Sequence, residues 1–250
     1  MDAESSIRAF VSESAHLSEL PAAQTAWHRH AKFYESKGIT GENSTSLEDC
    51  LMLYLLIRHF DRRRVFEIGT NVGTTSVIMN QAVKKNGGTC TTCDPVDYGA
   101  LPADSGIRFI HAESDIALSR LKAEHSTIDF AFFDWVPDKR TLNLANELFD
   151  DDAVIAVHDY RLDPKGQAIV DIVNLHYRQR GRWFFPEAPV QLADEIRVNI
   201  CTAFFVPNQL LTGRRETSLE RLKRGLSVLL HPRMTASHFK RTAIQSIRRM

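Results

Sequence analysis

Five short runs of apolar residues punctuate the middle of the chain, at 65–68, 89–93, 107–111, 128–133 and 153–158, and each reads as a strand. Between most of them apolar positions return at helical spacing, over 75–85, 115–122 and 142–148. This alternation predicts an α/β fold: a Rossmann-like, doubly wound sheet, mostly parallel, with right-handed crossovers and helices on both faces. Upstream, a helix over 22–35 contains Trp27, His28, His30 and Phe33. The two histidines are two residues apart and share no helix face, so both read as structural or solvated. Ser46, followed by Glu48 and Asp49, opens a second helix with Leu47, Cys50, Leu51, Tyr54 and Leu55 on one side. Downstream, Asp163 caps a helix over 164–180 that has Pro164 in its first turn. Residues 183–185 and 197–206 follow. The second is a strand, expected to pair with the segment around 190–192 as an antiparallel hairpin closing the sheet.

One of these strand–helix junctions differs from an ordinary turn. Strand 65–68 carries Glu67 and runs into Gly69-Thr70-Asn71-Val72-Gly73 before the next helix. Glycines at 69 and 73 can take positive φ and let a ligand approach bare backbone. The helix behind them points unpaired N–H groups at the same place. Sheets of this kind bind ligands beyond the carboxyl ends of their strands, so the residues after each strand are the candidates. After the second strand stands Asp94, suited to accept two hydrogen bonds from ribose hydroxyls or to form a turn before Pro95. After the third come Glu113 and Ser114, where an adenine edge would lie, with Asp115 as a helix cap. After the fourth comes Asp134, and after the fifth His158-Asp159-Tyr160. Two aspartates at neighbouring strand ends with a histidine beside one can hold an oxygen-preferring cation such as Mg²⁺. They can also cap helices and bond loops.

The Glu67…Gly69-x-Asn71-x-Gly73 stretch resembles motif I of class I S-adenosylmethionine-dependent methyltransferases, whose acid approaches the methionyl end of the cofactor. Phe132-Phe133-Asp134 and His158-Asp159-Tyr160 resemble the cation-dependent O-methyltransferases of the catechol, caffeoyl-CoA and macrocin types. The resemblance covers roughly residues 40–207. It implies S-adenosylmethionine held by Glu67, Gly69, Asn71, Gly73, Asp94, Glu113, Ser114 and Asp134. It also implies Mg²⁺ on Asp134, Asp159 and His158, and catalysis by Asp134, His158 and, more weakly, Lys139. The sequence departs from the pattern twice. Pro137 stands where that family carries a Lys or His, two residues before Lys139, and the strand-5 pair is His-Asp rather than Asp-Asn or Asp-Asp.

Charge adds a division that the elements do not show. The chain is formally neutral, with 43% hydrophobic and 25% charged residues, yet residues 208–250 hold ten Lys/Arg against two acids. The organisation expected is an N-terminal helical segment (1–45), a methyltransferase-like domain (46–207) and a basic amphipathic helical tail (208–250). The tail suits an anionic membrane surface, RNA, the acidic body of a second subunit in a homodimer, or this protein's own domain. The first 45 residues suit a lid, a dimer arm or simple packing. The N-terminus lacks signal-peptide character, and the longest apolar run, 51–57, is too short to span a bilayer. A cytoplasmic protein, peripheral at the inner membrane face through its tail, is the expectation. Cys90-Thr91-Thr92-Cys93 has CxxC spacing, but three residues apart on a strand points the two thiols to opposite faces, which suits buried thiols rather than a metal or redox pair.

An O-methyltransferase acting on a small hydroxylated molecule or a glycan is therefore the leading expectation. The alternatives are a non-catalytic cofactor-fold binding module, which Pro137 favours, and a nucleic-acid methyltransferase. Amino-methylating enzymes of the latter kind carry an Asp/Asn-Pro-Pro-aromatic motif, and Phe133-Asp134-Trp135-Val136 is not that motif. A dehydrogenase is disfavoured by the missing third glycine and by the closing hairpin.

Overall fold

The computed structural model describes residues 14–41, 44–160, 170, 181–184, 190–193, 196–198 and 202–212. Helix α1 (Leu20–Ser36) follows a short 3₁₀ turn, and α2 (Leu47–His59) is capped by the Ser46 hydroxyl, which accepts from the Asp49 N–H at 3.1 Å. There follow β1 (Arg64–Ile68), α3 (Thr74–Lys85), β2 (Thr89–Asp94), β3 (Arg108–His111), α4 (Ser114–Ala123), β4 (Ile128–Phe133), α5 (Lys139–Leu148) and β5 (Phe149–Val157). After them lie β6 (Gly181–Phe184), β7 (Val190–Ala193), β8 (Ile196–Val198), β9 (Ala203–Pro207) and the short α6 (Asn208–Thr212).

The main sheet has the order β3-β2-β1-β4-β5-β9-β6. Its first five strands are parallel, and β9 runs antiparallel to both β5 and β6. The sheet is thus closed by β9 with β6. The strand expected over 197–206 is divided: its first residues, as β8, do pair antiparallel with the 190–192 segment, β7, but in a separate two-stranded ribbon, while β9 joins the main sheet. Strand pairing is non-local, so the two short segments before β9 gave similar strand signals and no indication of which would join the sheet.

Side chains of β4 alternate between two cores, as a strand period of two requires. Phe130 and Phe132 pack with α1, α2 and α3, whereas Ala131 and Phe133 pack with α4 and α5. Cys90 joins the first core and Cys93 the second, and burial pushes both thiols up. Helix α2 differs from the one-sided helix expected: every residue from Asp49 to Ile57 is buried, because α1, α3 and the sheet enclose it. A helix buried all round holds no acid without a reason, and Asp49 is 1% exposed.

Helix α1 is fastened to the body by Glu19, which accepts from Tyr54 Oη (2.6 Å), Lys85 Nζ (2.7 Å) and the Arg58 guanidinium (3.0 and 3.1 Å). Burial opposes the charge, but these donors outweigh it and hold the Glu19 carboxyl well below the usual range. Further along, His30 Nε2 meets the Val72 carbonyl at 2.8 Å inside the glycine loop, while His28 is exposed. Of the tail expected over 208–250, only α6 is described. The helix expected over 164–180 is described only at Val170, buried in the second core. The membrane, RNA and homodimer expectations for the tail lie outside the described residues. No helix among the described residues is long and apolar enough to cross a membrane.

Candidate functional site

Ladder hydrogen bonds continue past the strand ends and line up the loops of the carboxyl edge. Gly69 N–H donates to the Cys93 carbonyl (3.0 Å), Asp134 N–H to Ile68 (2.9 Å), His158 N–H to Phe133 (3.0 Å) and Ala112 N–H to Asp94 (3.0 Å). Above them opens a cleft of about 950 Å³. One lobe is lined by Gly69, Asn71, Asp94, Tyr98, Glu113 and Ser114, and the other by Asp134, Trp135, Val136, His158 and Asp159. The loop between α1 and α2 supplies a wall through Ile39, Thr40 and Ser44.

The two glycines do different work. Gly69, at φ +94°, lines the cleft, and an added Cβ would lie 3.2 Å from the Asp134 carbonyl carbon and 3.3 Å from Trp135. Gly73, at φ +79°, begins α3, and the space of its missing Cβ is filled by Leu101 rather than left to a ligand. Asn71, also at positive φ, donates its backbone N–H to Asp94 Oδ2 at 2.9 Å, and Val96 N–H donates to the other oxygen at 2.9 Å. Asp94 therefore clips two loops together while lining the cleft. Glu113 is the N-cap of α4 and Asp115 lies in its first turn, so the cap expected at 115 falls two residues earlier.

Glu67 lies beneath the cleft rather than in it, 0% exposed. Ser76 donates to one oxygen, and the other has no hydrogen-bond partner. Burial pushes the carboxyl up to about 8, against the opposing hydroxyls, with Asp134 and Asp94 adding to the rise. At neutral pH it is mostly a neutral acid. A fully buried acid with an orphaned oxygen under the glycine loop is a donor or acceptor waiting for a polar group from above.

The second lobe is built from four distant segments. His158 Nδ1 makes an ion pair with Asp134 Oδ1 at 2.8 Å, and Thr45 Oγ1 donates to Asp134 Oδ2 at 3.0 Å. Asp159 Oδ2 stands 3.5 Å from the same ring nitrogen, and Asp49 Oδ2 lies 3.9 Å from Nε2. Asp49 accepts in turn from the Ser46 hydroxyl (2.7 Å) and from Thr202 N–H (2.9 Å). Burial pulls the His158 ring down, but Asp134 and then Asp49 and Asp159 outweigh it and push the ring up to about 9. The ring therefore favours its protonated form at neutral pH.

Two further expectations meet a different geometry. Lys139 is exposed at the first turn of α5 and borders a shallow depression with Ser119 and Glu147, away from the cleft. No group of three or more His, Cys, Asp or Glu among the described residues is arranged to hold a metal ion. Both Asp134 oxygens are engaged, and a charged ring stands where a hard cation needs oxygen donors. As arranged, Asp134, Asp159 and His158 present no ready-made oxygen set to Mg²⁺. Sequence reasoning missed Thr45, Asp49, Tyr98 and Trp135. Asp49 could have been found as the one acid inside an otherwise apolar helical run, and Trp135, 62% exposed, as an aromatic directly after a strand end.

Comparison with known proteins agrees with this architecture. Residues 66–160 match a family described as a methyltransferase domain. No curated protein matches the chain in sequence. Among solved structures, the O-methyltransferase from Bacillus cereus in complex with SAH is similar at 15% identity, over 73% of this chain and 90% of that one, with a TM-score of 0.54. TomG from Streptomyces achromogenes, an O-methyltransferase of tomaymycin synthesis in complex with SAM, is similar at 17% identity over 73% and 89%, with a TM-score of 0.53. The SAH-bound Podospora anserina methyltransferase PaMTH1 is similar at 14% identity over 73% and 87%, with a TM-score of 0.51. These likenesses define the fold, that of the class I methyltransferases. The residues that match the methyltransferase domain, 66–160, span both lobes of the cleft.

Proposed function

We propose that the protein is an S-adenosylmethionine-dependent O-methyltransferase that acts on a hydroxyl of a small molecule or sugar. The observation that carries this reading is the two-lobed cleft: loops suited to a nucleoside run without a break into a charged lobe suited to an oxygen acceptor. In the first lobe Asp94 would receive the ribose hydroxyls, the α4 N-terminus at Glu113 and Ser114 the adenine edge, and the Gly69–Asn71 backbone the methionyl part. The bound cofactor supplies an electrophilic methyl on sulfur.

In the second lobe Trp135 would stack against the acceptor and hold water away. The His158 imidazolium, anchored by Asp134, points positive charge at the oxygen as it loses its proton. Asp159, half exposed and lining the cleft, would take that proton and return it to solvent. A C–O bond forms as the C–S bond breaks, and alignment of the three atoms supplies most of the rate. The three similar structures, each described as a methyltransferase and holding SAM or SAH, support the cofactor assignment.

The test is release of S-adenosylhomocysteine on incubation with S-adenosylmethionine and a panel of phenols, vicinal diols and sugars. Turnover with one acceptor class, lost in Asp94→Asn, is expected. Cofactor binding without turnover on any acceptor would leave the non-catalytic binding module, which Pro137 and the protonated His158 favour, in its place.

A further inference from the structure

An imidazole ring already sits among the carboxylates of the second lobe, and its position deepens the methyltransferase reading. Three carboxylates surround the His158 ring: Asp134 at 2.8 Å, Asp159 at 3.5 Å and Asp49 at 3.9 Å. A divalent cation at this place would need several hard oxygens at about 2.0–2.1 Å in an octahedral arrangement. Asp134 meets the ring through one oxygen and Thr45 through the other, so a cation on the Oδ1 side would have to dislodge the ring. Asp49 cannot turn toward the cleft without abandoning the Ser46 hydroxyl and the Thr202 N–H, both inside the core. Asp159 is left as the only carboxylate of the three that is substantially exposed.

We propose that the His158 ring fills the place a divalent cation would take between these carboxylates, making this a cation-independent site. Asp49 is the positioning residue: seated in α2 and tied to β9, it closes the far side of the ring and leaves Nδ1 toward Asp134 and the cleft. Exchange of the ring for a carboxylate should recreate an oxygen-rich set from Asp134, Asp159 and the new side chain.

Mn²⁺ is the probe, followed by the electron paramagnetic resonance signal of the free aquo ion as protein is added, without cofactor. Wild-type protein should leave the signal unchanged. His158→Asp, with its fold checked by circular dichroism, should bind one equivalent at least about tenfold tighter than wild type. Asp134→Asn in that background should abolish the gain. If His158→Asp does not fold, His158→Asn carries the same expectation through its amide oxygen. One Mn²⁺ held by the wild type and lost in Asp134→Asn would overturn the proposal. So would a folded position-158 variant that gains no Mn²⁺. The ring's role toward an acceptor rests on the proposed methyl transfer, but Mn²⁺ retention is read without cofactor or acceptor. The two readings therefore fail separately.

Discussion

Strand β4 carries an acid at each end, and the pair separates what holds this fold from what it is for. Asp129, near the amino end, accepts the backbone N–H groups of Arg63 (2.9 Å) and Arg64 (2.8 Å), the residues that lead into and begin the adjacent β1. It is buried, satisfied mainly by backbone of the adjacent strand, and does not line the cleft. Asp134, past the carboxyl end, is satisfied by side chains 89 residues upstream and 24 downstream, Thr45 and His158, and lines the cleft. Backbone partners fix a strand; side-chain partners build a site. The difference lies in what each acid binds rather than in its residue type.

The largest expected effect breaks the structural end. Asp129→Ala strands two backbone N–H groups at the sheet edge and should cost about 3 kcal/mol in urea denaturation, while the remaining folded protein binds S-adenosylhomocysteine unchanged. At the other end, Asp134→Asn should leave stability within about 1 kcal/mol and lower turnover roughly 100-fold, since the imidazolium loses its anchor. Should both acids cost stability alike and Asp134→Asn retain turnover, the division fails. Gly69→Ala places a side chain at φ +94° against Asp134 and Trp135, and about 2 kcal/mol of destabilisation with loss of cofactor binding is expected. His30→Ala removes one buried bond to the glycine loop, and about 1 kcal/mol, read in urea denaturation, is expected.

The smallest effect sharpens the picture beneath the cleft. Glu67 has a carboxyl held at about 8 in the fold against 4.5 when unfolded. The folded state therefore binds the extra proton between those values, and stability falls as pH rises across that window. Glu67→Gln, which mimics the neutral acid, should change stability at pH 5 by less than about 0.5 kcal/mol and flatten its decline toward pH 8. A decline as steep as that of wild type would mean that another group is responsible.

What the sequence reveals follows the same division. The parallel strands, the helices between them, the glycine turn and the acids at 67, 94 and 134 are legible because each signal is local: a period, a turn residue, a position after a strand. The charged lobe is not, since Thr45, Asp49 and His158 become neighbours only when α2, β4 and β5 stack. The resemblance to cation-dependent enzymes placed Asp134, His158 and Asp159 together, yet it could not indicate that Thr45 and Asp49 would engage the carboxylates and the ring. The closing of the sheet was legible only in part for the same reason: the 190–192 hairpin forms, but apart from the main sheet. β6, rather than the 190–192 segment, completes the sheet through a register of long sequence separation.

Calorimetric titration of S-adenosylhomocysteine into the full chain, with and without Mg²⁺ and beside the Asp94→Asn variant, tests the central claim most directly. Binding in the micromolar range, about −8 kcal/mol, indifferent to Mg²⁺ and weakened at least tenfold by the substitution, is the predicted result. The absence of binding in either condition would contradict the assignment of the cleft to this cofactor, and with it the proposed methyl transfer.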